Sequence, residues 1–181
     1  MPVNGGGKRG GQAPPLAAML ELVSGSAVMT ARKFLVVVDK TPECRVALRF
    51  ATRRAQHTKG RVTLLCVAKL ADFQQWRGVE EIMRDEAHAE AESLIFSAAK
   101  DVNELSGIVP ELVIKHGRTA DCLAELVKSD KDISILVLAA GTSKEGPGPL
   151  VSAFAAQAGS HPIPVTVVPG GLSNESIDVL A

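Results

Sequence analysis

Apolar runs alternate with amphipathic segments along most of this chain. Two runs, Lys33–Val38 and Ile133–Ala140, are almost continuously apolar, which is typical of strands buried on both faces of a parallel sheet. Shorter runs at Val62–Val67, Glu111–Lys115 and Pro164–Val168 predict three further strands. Helical patterns separate these runs, so the predicted order is βαβαβαβαβ. Such alternation predicts one α/β domain with a five-stranded parallel sheet, right-handed crossovers and helices on both faces.

The segments between the predicted strands carry apolar residues at helical spacing. The clearest is Pro42–His57, for which Thr41 is the predicted N-cap and Pro42 the first helical residue. A longer helical pattern follows the second strand and ends at Gly107, the predicted C-terminal cap. Three arginines lie off the apolar stripe of the first helix and are interpreted as a solvated face: Arg49, Arg53 and Arg54.

Composition shifts at the two ends suggest where the domain begins and ends. The first part of the chain is rich in glycine and proline, as in Gly5-Gly6-Gly7 and Pro14-Pro15. We therefore expect residues 1–31 to be a disordered or linker-like tail. Residues 32–170 form the predicted domain, and residues 171–181 are expected to be a tail or a short helix capped by Ser173.

The charge balance narrows the possible partners. The chain has 20 basic and 20 acidic residues, and its formal net charge is zero. It therefore lacks the basic surface that binding to nucleic acid or an anionic membrane requires, and it has no run of the length of a transmembrane helix. Aromatic residues make up only 3% of the chain, so aliphatic residues and alanine must build the core. We expect neither a nucleic-acid partner nor a membrane partner.

No catalytic or metal-binding pattern stands out in the sequence. Cys44, Cys66 and Cys122 form no CxxC pair and are interpreted as buried, reduced thiols, which favours a cytoplasmic location. The histidines are not placed at metal-ligand spacing, and the chain contains neither a P-loop nor a nucleophile elbow. We therefore predict no metal site, no resident cofactor and no enzymatic activity.

Candidate ligand-binding residues follow from the predicted topology, because doubly wound sheets bind ligands at the carboxyl ends of their strands. Asp39 ends the first strand, and its carboxylate could accept a hydrogen bond from a base amine or a ribose hydroxyl, or it could simply cap a turn. Val67 ends the second strand. Gly141 follows the fourth strand and would let the backbone approach a phosphate. The hydroxyls of Thr142, Ser143 and Ser152 could donate to that phosphate, although they also suit ordinary turns.

Four stretches, in this order and spacing, resemble the universal stress protein family. The likeness covers residues 33–169, nearly the whole predicted domain. The matching stretches are Phe34–Asp39 with its following helix, Val62–Val67, Gly117 with the helix that leads to Ile135–Leu138, and Pro162–Val168. The resemblance implies a three-layer, Rossmann-like sandwich of the adenine-nucleotide alpha hydrolase-like type. It also implies a homodimer, because many members pair through the last strand.

The resemblance also implies where ATP would bind, and this chain departs from that pattern. ATP-binding members carry G-x-x-G, a spacer and then G-[ST] after the fourth strand. Here Gly141 matches the first glycine, Lys144 replaces the second, and Val151-Ser152 stand in for G-[ST], counting back from Pro164. Side chains at these positions hinder a loop that must pass close to phosphate, and Pro147 and Pro149 remove N–H donors.

The functional hypothesis follows from this degenerate loop. We expect a cytoplasmic protein of the stress response that acts by binding or protein interaction, without tight ATP binding. The alternative is a switch that binds ATP or another adenine nucleotide and hydrolyses it slowly at most. The last strand carries no charge between Ile163 and Gly171, so an open edge there favours pairing with a second copy of the chain.

Overall fold

A computed structural model of the chain describes residues 31–69, 80–144 and 146–181. The predicted linker-like tail, except for Ala31, lies outside these residues. Five parallel strands form one sheet in the order β3-β2-β1-β4-β5. The strands are β1 Lys33–Val38, β2 Arg61–Ala68, β3 Glu111–His116, β4 Ile133–Ala140 and β5 Val165–Pro169.

Helices cover both faces of the sheet, so the predicted α/β fold class is confirmed. Helices α1 and α2 pack on one face, and α3 and α4 pack on the other. Among the helices of the described residues, none combines the length and the apolar composition that a membrane span needs. The helices are α1 Pro42–Thr58, α2 Glu80–Ser106, α3 Thr119–Ser129, α4 Pro149–Ala156 and α5 Asn174–Leu180, with a short 3-10 turn at Ala158–Ser160.

Strand β1 lies at the centre of the sheet and is buried along its whole length. Its side chains alternate between two cores, because successive residues of a strand point to opposite faces. Phe34, Val36 and Val38 join the core beneath α1 and α2. Leu35 and Val37 join the core beneath α3 and α4. This double burial explains why the β1 sequence is continuously apolar after Lys33.

Most predicted boundaries agree with the structure. Strands β1 and β4 begin and end at the predicted residues, and α1 begins at Pro42 as expected. Gly107 has a φ of +73°, and its N–H donates to the Asn103 carbonyl over 2.7 Å, which confirms it as the C-terminal cap of α2. Strand β5 is an edge strand, and β3 is the other edge.

The C-terminal segment forms helix α5, the second of its two predicted forms. The Ser173 side chain accepts a hydrogen bond from the Ser176 N–H over 3.2 Å, so Ser173 is the N-cap. Ile177 is fully buried where the helix packs against α1. The helix is therefore packed against the domain through an apolar anchor.

Ionic contacts hold α5 on α1, and they overturn the interpretation of the α1 arginines as a solvated face. Arg49 and Arg53 both pair with the Asp178 carboxylate, through Nε–Oδ1 distances of 2.9 and 3.0 Å. Arg54 donates to the carbonyl of Ala181 over 3.1 Å. The pKa of Asp178 is lowered to about 2, first by hydrogen bonds from Arg49 and then by those from Arg53. Each arginine is bound to the last helix or to the chain end.

We predict that Ile177→Ala lowers the free energy of unfolding by about 2–4 kcal/mol, because it removes a fully buried side chain from the contact between α5 and α1. Val179→Ala is the matched control on the same helix. Its side chain is 86% exposed, so the change should stay within about 0.5 kcal/mol. Urea denaturation of the three proteins measures both effects. Equal effects of the two substitutions would show that α5 does not dock as described.

Candidate functional site

The strand order places a crevice at the carboxyl ends of β1 and β4. From β1 the chain proceeds to β2 and β3 on one side, and it then crosses back to β4 and β5 on the other side of β1. The loops that leave β1 and β4 therefore run in opposite directions and separate. This switch point is where open parallel sheets bind ligands.

A cleft of about 430 Å³ lies at this switch point. Its volume falls in the range of roughly 300–1,000 Å³ that is usual for small-molecule sites. Apolar side chains from the ends of the strands and from α1 and α4 form most of the wall: Val37, Val38, Ala47, Val67, Leu138, Leu150 and Val151. Polar and charged side chains also line it: Asp39, Thr41, Glu43, Lys69, Arg118 and Thr119.

The structure places three of the six predicted binding residues together in this cleft. Asp39, Val67 and Gly141 line it, at the ends of β1, β2 and β4. Thr142, Ser143 and Ser152 are exposed, and among the described residues they are not part of the cleft wall. The three hydroxyls expected to contact phosphate therefore lie beside the cleft. Asp39, the residue expected near a base or a ribose, lies within it together with Val67 and Gly141.

Asp39 has the turn role that the sequence left as one of two alternatives. Its Oδ1 accepts hydrogen bonds from the backbone N–H of Thr41, over 2.9 Å, and from the Thr41 hydroxyl, over 2.5 Å. These bonds shape the turn between β1 and α1. A carboxylate has two oxygens that can accept several hydrogen bonds, so the turn role is compatible with a ligand contact through Oδ2.

The loop after β4 folds back on itself. The Gly141 N–H donates to the Pro147 carbonyl over 3.0 Å, and the Gly146 N–H donates to the Ser143 carbonyl over 3.3 Å. Gly146 and Gly148 have φ values of +105° and +95°, which side chains rarely allow. The glycines thus serve the turn itself. Pro147 and Pro149, which lack an N–H, form part of the cleft wall.

The carboxylate of Glu43, on α1, accepts hydrogen bonds from donor groups of this loop. Oε1 of Glu43 accepts hydrogen bonds from the Thr142 N–H and the Thr142 hydroxyl, each over 3.3 Å. Glu43 stands in the first turn of α1, where unpaired helix N–H groups favour negative charge. The pKa of Glu43 is lowered first by its own backbone N–H and then by the N–H of Thr142. The carboxylate is therefore charged at neutral pH.

Gly170 provides the space in which the Glu43 side chain lies. A Cβ at this position would collide with the Glu43 side chain and with the Ala140 carbonyl oxygen. The Gly170 N–H also donates to that carbonyl over 3.0 Å. The end of β5, the end of β4 and the start of α1 thus meet at a residue without a side chain.

Sequence reasoning missed several residues of the cleft. Glu43 could have been found as an acidic residue in the first turn of a helix that begins at a strand end. Arg118 and Thr119 follow the carboxyl end of β3, a strand end at which the sequence pattern had indicated no binding residue. Lys69 lies just beyond Val67, which was identified.

Two features of the titratable side chains in the described residues concern reactivity and metal binding. Burial raises the pKa of the Cys44 thiol to about 11, so this cleft residue is a poor nucleophile. His88 and His116 stack with ring centroids 5.2 Å apart, a contact between α2 and β3 that the sequence did not predict. Within the described ranges, no three His, Cys, Asp or Glu residues are grouped so that they could hold a metal ion.

Comparison with known proteins identifies the fold. The Universal stress protein family matches residues 30–169, and no curated protein matches the chain. A universal stress protein from Lactobacillus plantarum is 19% identical, with a TM-score of 0.64, and the match covers 76% of this chain and 97% of that one. A family member from Burkholderia pseudomallei is 17% identical, with a TM-score of 0.61 and coverage of 78% and 98%.

A third solved structure carries a ligand. It is a universal stress protein family protein from Arabidopsis thaliana with AMP bound. It is 19% identical, with a TM-score of 0.55, and the match covers 76% of this chain and 91% of that one. At these identities the three structures show a shared fold.

We predict that Gly170→Ala destabilises the protein by about 1–3 kcal/mol, because the new methyl group collides with the Glu43 side chain and the Ala140 carbonyl. The neighbouring Gly171→Ala is the control, since its added Cβ would have Thr142 Cγ2 as its nearest neighbour, at 3.8 Å. That change should be neutral or slightly stabilising. Thermal and urea denaturation test the pair, and a neutral Gly170→Ala would contradict the packing described at Glu43.

Proposed function

Since the chain belongs to the universal stress protein family, we propose that it serves the stress response by binding or protein interaction, without tight ATP binding. The observation that carries this proposal is that donor groups of the loop after β4 are already hydrogen-bonded to acceptors within the protein. The Gly141 N–H bonds to Pro147, and the Thr142 N–H and hydroxyl bond to Glu43. A phosphate would have to compete with these internal acceptors.

Two further features of the loop support weak ATP binding. Lys144 and Val151 stand where ATP-binding members of the family have glycine. Val151 is buried in the core beneath α3 and α4, so its side chain cannot leave the helix start without loss of packing. The first residue of α4, Pro149, has no N–H to offer to an anion at the helix N-terminus.

A non-enzymatic, cytoplasmic role is part of the same proposal. The Cys44 thiol in the cleft is held protonated by burial, and Asp39 is engaged by Thr41, so neither is placed as an activated nucleophile or base. All three cysteines are free and buried. Reduced thiols persist in reducing compartments, which supports the cytoplasm as the location.

A second candidate function is an adenine-nucleotide switch with at most slow hydrolysis. It is favoured by one observation, the convergence of Asp39, Val67 and Gly141 in a cleft at the switch point. The Arabidopsis thaliana neighbour with AMP bound makes nucleotide chemistry a reasonable hypothesis for this cleft. The internal contacts of the loop make this the weaker candidate.

We also propose a homodimer formed through β5. The two edge strands differ in how they are protected, because β3 carries Glu111 and Lys115, whereas β5 carries no charged residue. Charges on an edge strand discourage pairing with another chain. Helix α5, which could have covered the edge, packs on α1. The edge that β5 leaves unpaired among the described residues therefore suits a second copy of the chain related by a two-fold axis.

We predict that the unmodified protein binds Mg-ATP with a Kd weaker than about 100 μM, or about 5.5 kcal/mol of binding free energy. Lys144→Gly should tighten binding, because it restores a glycine that lets the loop approach phosphate. Lys131→Gly, in the exposed turn before β4, is the control and should leave the Kd unchanged. Isothermal titration measures the Kd of all three proteins. Low-micromolar binding by the unmodified protein would contradict the proposal.

The dimer prediction depends on which backbone groups face the open edge of β5. The Leu136 N–H donates to the Pro164 carbonyl, and the Gly170 N–H donates to the Ala140 carbonyl, each over 3.0 Å. Even-numbered residues of this strand therefore direct their backbone groups toward β4. Because these groups alternate along a strand, those of Val165 and Val167 face the open edge.

We predict that Val167→Pro converts the dimer to a monomer with little loss of stability, because proline is tolerated where an N–H faces away from the sheet. Thr166→Pro is the contrast variant: it removes a donor directed toward β4 and should lower the melting temperature. Light scattering at tens of micromolar protein measures the assembly. A monomeric unmodified protein would rule out the dimer, and a dimer that survives Val167→Pro would place the interface elsewhere.

A further inference from the structure

We propose that Glu43 determines which ligands the cleft accepts. Its carboxylate stands in for a ligand anion, so the cleft takes an uncharged, flat heterocycle, such as a nucleoside without phosphate, and rejects the phosphorylated forms. This inference rests on the proposed binding function of the cleft and names the class of ligand.

The first step is that Glu43 accepts hydrogen bonds from donors at the start of the loop after β4. Both the N–H and the hydroxyl of Thr142 point to one oxygen of this carboxylate, at 3.3 Å. Thr142 follows Gly141, a residue of the cleft wall, and Glu43 itself lines the cleft. A phosphate near the loop would have to displace the carboxylate or lie beside it.

The second step is that the carboxylate is held in place and charged. The side chain of Glu43 packs in the space left by Gly170, and its own helix N-terminus stabilises its charge. A bound phosphate near Thr142 would therefore approach a fixed like charge. In a partly exposed cleft, two like charges about 4 Å apart repel strongly enough to change affinity about tenfold or more.

The third step is that the remaining cleft offers apolar surface to a neutral ligand. Val67 and Leu138 supply apolar surface from two strand ends, and Ala47 supplies it from α1. Asp39 offers a carboxylate oxygen to an N–H or O–H donor of the ligand. A cleft whose wall is mainly apolar and carries a limited set of polar side chains is the usual form of a site for a drug-sized ligand.

Two cationic side chains of the cleft provide the competing explanation. Lys69 and Arg118 line the cleft near the ends of β2 and β3, and they could attract a phosphate instead. The Arg118 side chain is 86% exposed and has Asp121 as a neighbour, with Nε and Oδ2 3.8 Å apart. Water screens such an exposed charge, so we expect the contribution of Arg118 to be small.

The test compares adenosine, AMP and Mg-ATP by isothermal titration at fixed ionic strength. Three proteins are titrated: the unmodified chain, Glu43→Gln and Glu175→Gln. Glutamine keeps the shape of Glu43 and an oxygen that can accept from Thr142, but it removes the charge. Glu175 is the matched control, because it also lies in the first turn of a helix and its own backbone N–H is the main cause that lowers its pKa, but it belongs to α5.

We expect the unmodified protein to bind adenosine about tenfold or more tightly than AMP or Mg-ATP. Glu43→Gln should raise the affinity for AMP and Mg-ATP about tenfold relative to adenosine, and Glu175→Gln should leave every ratio unchanged. If Glu43→Gln fails to fold, Glu43→Ala, which also removes the charge, is titrated in its place with the same expected change in ratios.

Three results would overturn the inference: no binding of adenosine, AMP binding as tight as adenosine binding, or unchanged ratios in Glu43→Gln. If AMP binding is tight and is lost in Arg118→Gln, Arg118 binds the phosphate and the inference is overturned. Low-micromolar Mg-ATP binding by the unmodified protein would overturn the proposed function as well. Weak Mg-ATP binding with unchanged ratios in Glu43→Gln would overturn this inference alone.

Discussion

The pairing of β1 with both β2 and β4 is the constraint on which the rest of the structure depends. Because β1 lies at the centre of the sheet, each of its faces must be covered: α1 and α2, from the first half of the domain, cover one face, and α3 and α4, from the second half, cover the other. The same pairing makes the chain reverse direction beside β1. The crevice at the carboxyl ends of β1 and β4 is a consequence of this reversal, and so is the position of β5 at an edge.

The positions of the central strands, which depend on local pattern and on burial on both faces, were predictable from the sequence. Strands β1 and β4 were placed correctly because a strand covered on both sides must be apolar at nearly every position. Contacts between distant parts of the chain were not predictable in the same way. Arg49 looked solvated because its partner, Asp178, lies 129 residues away on a helix whose position no local pattern specifies.

In the candidate site, too, local patterns were predictable and contacts between distant residues were not. The rule that ligands bind at strand ends identified Asp39, Val67 and Gly141, which do line one cleft. It did not reveal that Thr142 would donate to Glu43, because the two residues are 99 positions apart. Glycine also carries an ambiguous signal. Residues that allow a loop to wrap a phosphate equally allow it to fold back on itself, as the positive φ values of Gly146 and Gly148 show.

The need to satisfy helix and loop N–H groups explains why an acidic side chain belongs at this switch point. The first turn of a helix leaves N–H groups unpaired, and an anion from any source can satisfy them. In this chain the anion is covalently part of the protein, so it competes with every external anion at a high effective concentration. Gly170 makes this arrangement possible, because it leaves room for the Glu43 side chain at the point where β5 ends. The proposed ligand preference of the cleft and the close approach of the end of β5 to α1 therefore both depend on how Glu43 packs against Gly170.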